Sequence, residues 1–167
     1  IVPQKGDKRR LIELALDNAQ LVLNQRLQKE EREENFGVKA MEELRQILNL
    51  PKTPLRIEGY DISHMQGSFT VGAMVVFTNG MPDKKEYRHY RMKTIDWIDD
   101  YASLREMVGR RMRRGQAEKE QRLAGEKPEK QTFARFPDMI LIDGGKGQLS
   151  AVKSLLNEMG FGDMPIF

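Results

Sequence analysis

An α/β layer fold with a mixed sheet is predicted by the order of three kinds of segment along the chain. Roughly the first fifty residues are helix-forming. The middle reads as three strands joined as an antiparallel meander. The remainder alternates helix, strand and helix, which adds a parallel strand to such a sheet. With 167 residues the chain is long enough for one domain with its own core.

Taken in order, Lys8 to about Glu34 carries Ile12, Leu16, Ala19, Leu23 and Leu27 as a helical apolar stripe. Gly37 is expected to break this helix, with a second one running from about Val38 to Leu48. The run "QKEEREEN" reads as the solvated end of a surface helix, and "NLPKTP", Asn49 to Pro54, as a stiff connector. "LRIEGYDIS", Leu55 to Ser63, reads as a strand ending at Asp61, followed by a turn at Gln66, Gly67 and Ser68. "FTVGAMVVF", Phe69 to Phe77, is a second strand, Asn79-Gly80 a hairpin signal, and "KEYRHYRMK", Lys85 to Lys93, a third strand with one wet face. Asp99 and Asp100 precede "YASLREMVGRRMRR", a helix capped by an aspartate. The stretch from Gly115 to about Lys130 is polar and reads as a flexible insertion reaching to about residue 135. Met139 to Ile142 is a buried strand, and a helix follows from about Gln148 to Met159. The division expected is a helical lead-in over 1–54 and a main domain over 55–167, with no internal repeat.

Charged residues make up 32% of the chain and hydrophobic ones 39%, as in a protein with long surface helices. No apolar run approaches the roughly 18 residues that cross a membrane. The absence of cysteine excludes disulfides and thiolate metal sites and suits a cytoplasmic protein. A first residue other than methionine predicts a fragment of a longer protein. The net charge of +3 is a weak pointer to nucleic acid until its distribution is considered. Its densest basic cluster is Arg110, Arg111, Arg113 and Arg114, which reads either as a face that follows a DNA backbone or as a solvated helix end.

The stretch "DMILIDGGKGQLSAV", Asp138 to Val152, carries the chemistry. An apolar strand runs into Asp143, and an unpaired carboxylate at such a place is costly. Asp143 therefore either caps the following helix or faces a cation. "GGKGQ" is not a Walker loop, because Lys146 is followed by glycine and glutamine instead of a hydroxyl residue. Its glycines suit a sharp turn or a close approach. Lys146 is placed either to meet a phosphate or as a plain surface lysine. Asp61 also ends an apolar strand, and ligands of α/β sheets gather at the carboxyl ends of strands. If these two strands are neighbours, their carboxylates converge, and two close anions call for a cation. Oxygen donors without cysteine favour Mg2+ or Mn2+, a site suited to phosphoryl chemistry.

The strings "YDISHMQGSFTVGAMVVFTNGMPDKKEYRHYRMK", "DDYASLREMVGRR" and "FPDMILIDGGKGQLSAV" stand in an order and spacing that closely resembles the C-terminal endonuclease half of the UvrC family, the incision subunit of bacterial nucleotide excision repair. "KRRLIELALDNAQLVL" and "LPKTPLRIEGYDISH" are similar to that family's lead-in. The resemblance implies an RNase H-like fold and a metal-dependent endonuclease that cuts damaged double-stranded DNA 5′ of a lesion. It places Asp61 and Asp143 as catalytic, metal-holding residues and associates Asp100 with the same incision, although capping the helix near Tyr101 is an equal reading. The family's histidine lies downstream of the "IDGGKGQL" helix, past Phe167, so the chain by itself is expected to cut poorly. His64 and His89 are not assigned to that role. Partners implied are UvrB, with UvrA acting upstream. The competing reading is an RNase H-like module that binds DNA or repair partners without cutting.

Overall fold

The computed structural model describes residues 5–65, 69–92, 99–125 and 133–167, and only the backbone of 33–34, 64–65 and 69. Eight elements follow in chain order: helix α1 (Asp7–Ile47), strands β1 (Arg56–Met65), β2 (Phe69–Thr78), β3 (Met81–Pro82) and β4 (Arg88–Arg91), helix α2 (Asp100–Leu123), strand β5 (Met139–Ile142) and helix α3 (Lys146–Glu158). The sheet runs β3-β2-β1-β5, with β4 also paired to β2. β1 and β2 are antiparallel from Arg56↔Thr78 to Met65↔Phe69. β5 lies parallel to β1, from Ile57↔Met139 to Tyr60↔Ile142. The expected mixed sheet is present. At its β5 edge, Ile166 bridges Ile140 in parallel fashion.

Alternation along the strands sorts the two faces of the sheet. Tyr60, Met74, Val76, Tyr90 and Ile140 form one core with Leu104, Met107, Val108 and Met112 of α2 and Val152, Leu155 and Leu156 of α3. The opposite face is covered at one end, where Ile57 and Met139 pack with Leu50, Met41, Leu44, Leu48 and Phe77. Arg45 and Thr53 hold the Glu42 carboxyl down to about 2, tying the end of α1 to the connector behind it.

Several expected boundaries move. α1 does not break at Gly37: it runs unbroken, and Gly37 is buried where a Cβ would collide with the backbone carbonyl of Asn79. That glycine serves close docking of the β2–β3 turn. The turn itself is the expected hairpin, with positive φ at both Asn79 and Gly80 (50s and 70s of degrees: 52 and 78). β1 continues past Asp61 to Met65. The third strand is shorter than its apolar alternation suggests, because a 3-10 turn occupies Lys84–Glu86. The aspartate that caps α2 is Asp99, whose side chain accepts from the Ala102 N–H at 3.0 Å; Asp100 is the first helical residue.

The largest correction concerns the segment after Gly115. α2 continues to Leu123, and Gly115 is buried against the Phe133 carbonyl. Glu118, buried, accepts from the N–H groups of Phe133 (2.8 Å) and Ala134 (3.0 Å), so the returning chain is pinned to the helix. Residues 126–132 lie outside the described residues, as do the expected turn at 66–68 and the end of the third strand at Lys93. α3 starts two residues earlier than expected, at Lys146.

Candidate active site and nucleic-acid interface

β1 is longer than β5, and this difference creates the site. Their ladder ends at Tyr60↔Ile142, and the Asp143 N–H adds one more bond, to the Tyr60 carbonyl at 2.9 Å. The next residues along the two strands are Asp61 and Asp143. They stand side by side on adjacent strands, about 4.8 Å apart in the hydrogen-bonding direction, on the face away from α2 and α3. Together they line a hollow of about 180 Å³ with Gly59, Tyr60, Ala73, Val75 and Leu141. Next to Asp61 the floor is low, because its strand neighbours on that face are Gly59 and Ala73. Asp61 is half-buried and accepts a hydrogen bond from the Ser63 hydroxyl at 3.0 Å; Asp143 is exposed. Two adjacent anions with oxygen donors only, open to solvent, suit a hard divalent cation. Among the described residues no group of three or more His, Asp or Glu side chains could hold a metal, so Asp100 is not gathered into this pair.

The glycines of "DGGKGQ" have a specific reason. None of them has a positive φ. A Cβ on Gly144 would strike the Gln148 side chain, which folds back to accept the Gly145 N–H at 2.6 Å and so caps α3. A Cβ on Gly147 would lie 2.5 Å from the Tyr101 ring. The start of α3 is thus packed on the first turn of α2, and close approach is a requirement that Gly144 and Gly147 meet. Lys146 is exposed at the first position of α3.

The four arginines divide. Arg111 is fully buried and pairs with Glu58 at 2.7 Å, while also donating to the Phe133 (2.9 Å) and Arg135 (2.7 Å) carbonyls. Fully buried and held by these bonds, it exposes no surface to DNA, which removes it from the expected DNA-facing set. Glu58, also fully buried, is bound by Arg56 and by the Tyr60 hydroxyl. Burial alone would lower the Arg111 pKa, but the Glu58 charge raises it; burial and then Glu58 push the Tyr60 phenol well up. This network is a structural centre that no local sequence pattern announces. The other three arginines stay at the surface: Arg110 bonds Glu106 and the Arg91 carbonyl and lies over the Tyr90 ring, Arg114 bonds Glu118, and Arg113 lies back over Gly109. With Arg88, His89, Tyr90, Phe133 and the buried Arg111, they line a second hollow, of about 530 Å³, between β4 and α2.

A family model described as the UvrC RNase H endonuclease domain matches residues 45–167. The chain is 44% identical to UvrABC system protein C of Clostridioides difficile (strain 630) over 99% of its own length and 24% of that protein. It is 40% identical to the protein of the same name from Symbiobacterium thermophilum over 99% of the chain and 28% of the relative. For the one from Methanococcoides burtonii the figures are 42%, 99% and 25%. The chain spans about a quarter of the length of these relatives. The RNase H-like reading of the mixed sheet agrees with this match, and the chain belongs to the UvrC RNase H endonuclease domain family.

Proposed function

We propose that this chain supplies the carboxylate half of an active site that hydrolyses one phosphodiester bond of damaged double-stranded DNA, 5′ of a lesion, within an excision system that includes UvrB and, upstream, UvrA. By itself the chain is expected to cut poorly. The observation that carries the reading is the placement of Asp61 and Asp143 as neighbours on parallel strands above a low, open floor. These two carboxylates would hold Mg2+ or Mn2+. Such a cation, when bound, supplies Lewis acidity and lowers the pKa of its water. The Ser63 hydroxyl fixes the orientation of Asp61. Lys146, exposed at the amino end of α3 three residues after Asp143, would meet the phosphate there, where helix N-termini favour anions. Arg110, Arg113 and Arg114 hold backbone phosphates without reading bases. Asp100 acts at one remove, at the start of the helix whose Tyr101 seats the Gly147 turn.

The test is calorimetric titration of the chain with Mn2+. Asp143→Asn is expected to weaken binding while leaving the fold intact. In metal-free buffer the variant should be as stable as the parent or slightly more so, because one of two repelling charges is gone. Unchanged Mn2+ affinity would remove the assignment.

A further inference from the structure

The two hollows described above share no lining residue, but the β4 edge of the sheet stands between them. The register of the sheet links them through one residue. Asp61 pairs with Ala73 on β2, and Ala73 pairs with His89 on β4. Asp143, Asp61, Ala73 and His89 therefore form one row across four strands. Along β4, Tyr90 is buried in the α2 core while His89 is exposed, so the His89 side chain belongs to the face that carries the carboxylates. Ala73 lines the carboxylate hollow, and its neighbour His89 lines the arginine hollow. The only side chain between Asp61 and His89 in this row is a methyl group. Among the described residues of this row, nothing larger stands between the two.

We propose that His89 is a phosphate-contacting residue that carries the DNA strand from the carboxylate pair over the β4 edge to Arg110, Arg113 and Arg114. The inference rests on the nuclease reading of the Asp61–Asp143 pair. Two strand spacings separate His89 from Asp61, about 10 Å across the sheet. That span corresponds to one to three nucleotide steps, each with about 3.4 Å of axial rise. The contact is thus to a phosphate flanking the one that reacts. Imidazole donates at least one N–H in either protonation state, so it can meet a phosphate oxygen directly. The contact carries no base specificity. A polar residue on an edge strand also guards against strand addition, and the experiment separates the two roles.

Affinity of the chain for a short DNA duplex, measured by fluorescence anisotropy at low salt, is compared for the parent, His89→Ala and His89→Lys. Loss of one hydrogen bond to a charged phosphate predicts about ten- to a hundredfold weaker binding for His89→Ala. His89→Lys restores it, while thermal stability is the same in all three. The chain has no cysteine, so His89→Cys introduces a single thiol. A duplex carrying an activated disulfide tethered to one phosphate should trap it by thiol–disulfide exchange, releasing the leaving thiol, in higher yield than it traps Lys153→Cys, an exposed site on α3. DNA affinity that responds to the three arginines but not to His89, or equal trapping at both cysteines, overturns the inference and leaves the nuclease reading standing. Loss of Mn2+ binding as the failure would instead strike the carboxylate assignment. Absence of any DNA binding by the parent would overturn both.

Discussion

Arg111 shows how much a single side chain can mislead when only its neighbours in sequence are considered. It sits in the run RRMRR, and nothing nearby distinguishes it from Arg110 or Arg113. Its partner Glu58 lies 53 positions earlier, on the inner face of β1. Removing one member of a buried pair strands the other, at a cost of about 3–5 kcal/mol. Arg111→Ala is therefore expected to lose stability near the lower end of that range, since Arg56 remains on Glu58. Arg113→Ala should change stability by no more than about 0.5 kcal/mol. Chemical denaturation of the two variants checks this contrast; equal midpoints would mean the buried pair is not a keystone. The carboxylates, by contrast, were legible. An apolar run that stops at an aspartate is a local signal, and Asp61 and Asp143 both carry it. What was not legible is that Asp61 lies mid-strand, because strand length depends on pairing with β2.

Helices α2 and α3 meet where their first turns face each other. Tyr101 lies on Gly147, and Arg105 bonds the Ala151 carbonyl and Glu158 farther along. Gly147→Ala forces a methyl group into the ring and should cost about 1–3 kcal/mol, as overpacking does. Adding Tyr101→Ala should recover part of that loss. A double variant no more stable than Gly147→Ala, compared by thermal unfolding, would show that the glycine is needed for another reason. Gly37 and Gly115 teach the same lesson about elements. Glycine inside a helical pattern suggests a break, yet both sit within continuous helices and are buried against a passing backbone. The partners, Asn79 and Phe133, are remote in sequence, so periodicity could not supply them. The Asn79-Gly80 hairpin, whose information is entirely local, was read correctly.

At the scale of the whole molecule, the carboxylate pair, β4 and the surface of α2 lie along one direction across the sheet. Binding through Arg110, Arg113 and Arg114 releases counterions, so replacing all three by glutamine should flatten the salt dependence of DNA affinity by up to about 2.7 in logarithmic slope. Arg111 must be left in place, or unfolding would be mistaken for lost contact. A variant that keeps the parent's slope would put the DNA elsewhere. α1 adds a mechanical property. Every described side chain from Lys5 to Phe36 is exposed, and the helix first meets the sheet domain at Gly37. Its outer part is a beam roughly 45 Å long, supported by pairs such as Arg9–Glu13 and Arg26–Glu30. A beam held at one end amplifies angle into displacement. A tilt of about 10° at the Gly37–Asn79 seat would carry the far turn about 8 Å. The sheet and its carboxylates would not move at all.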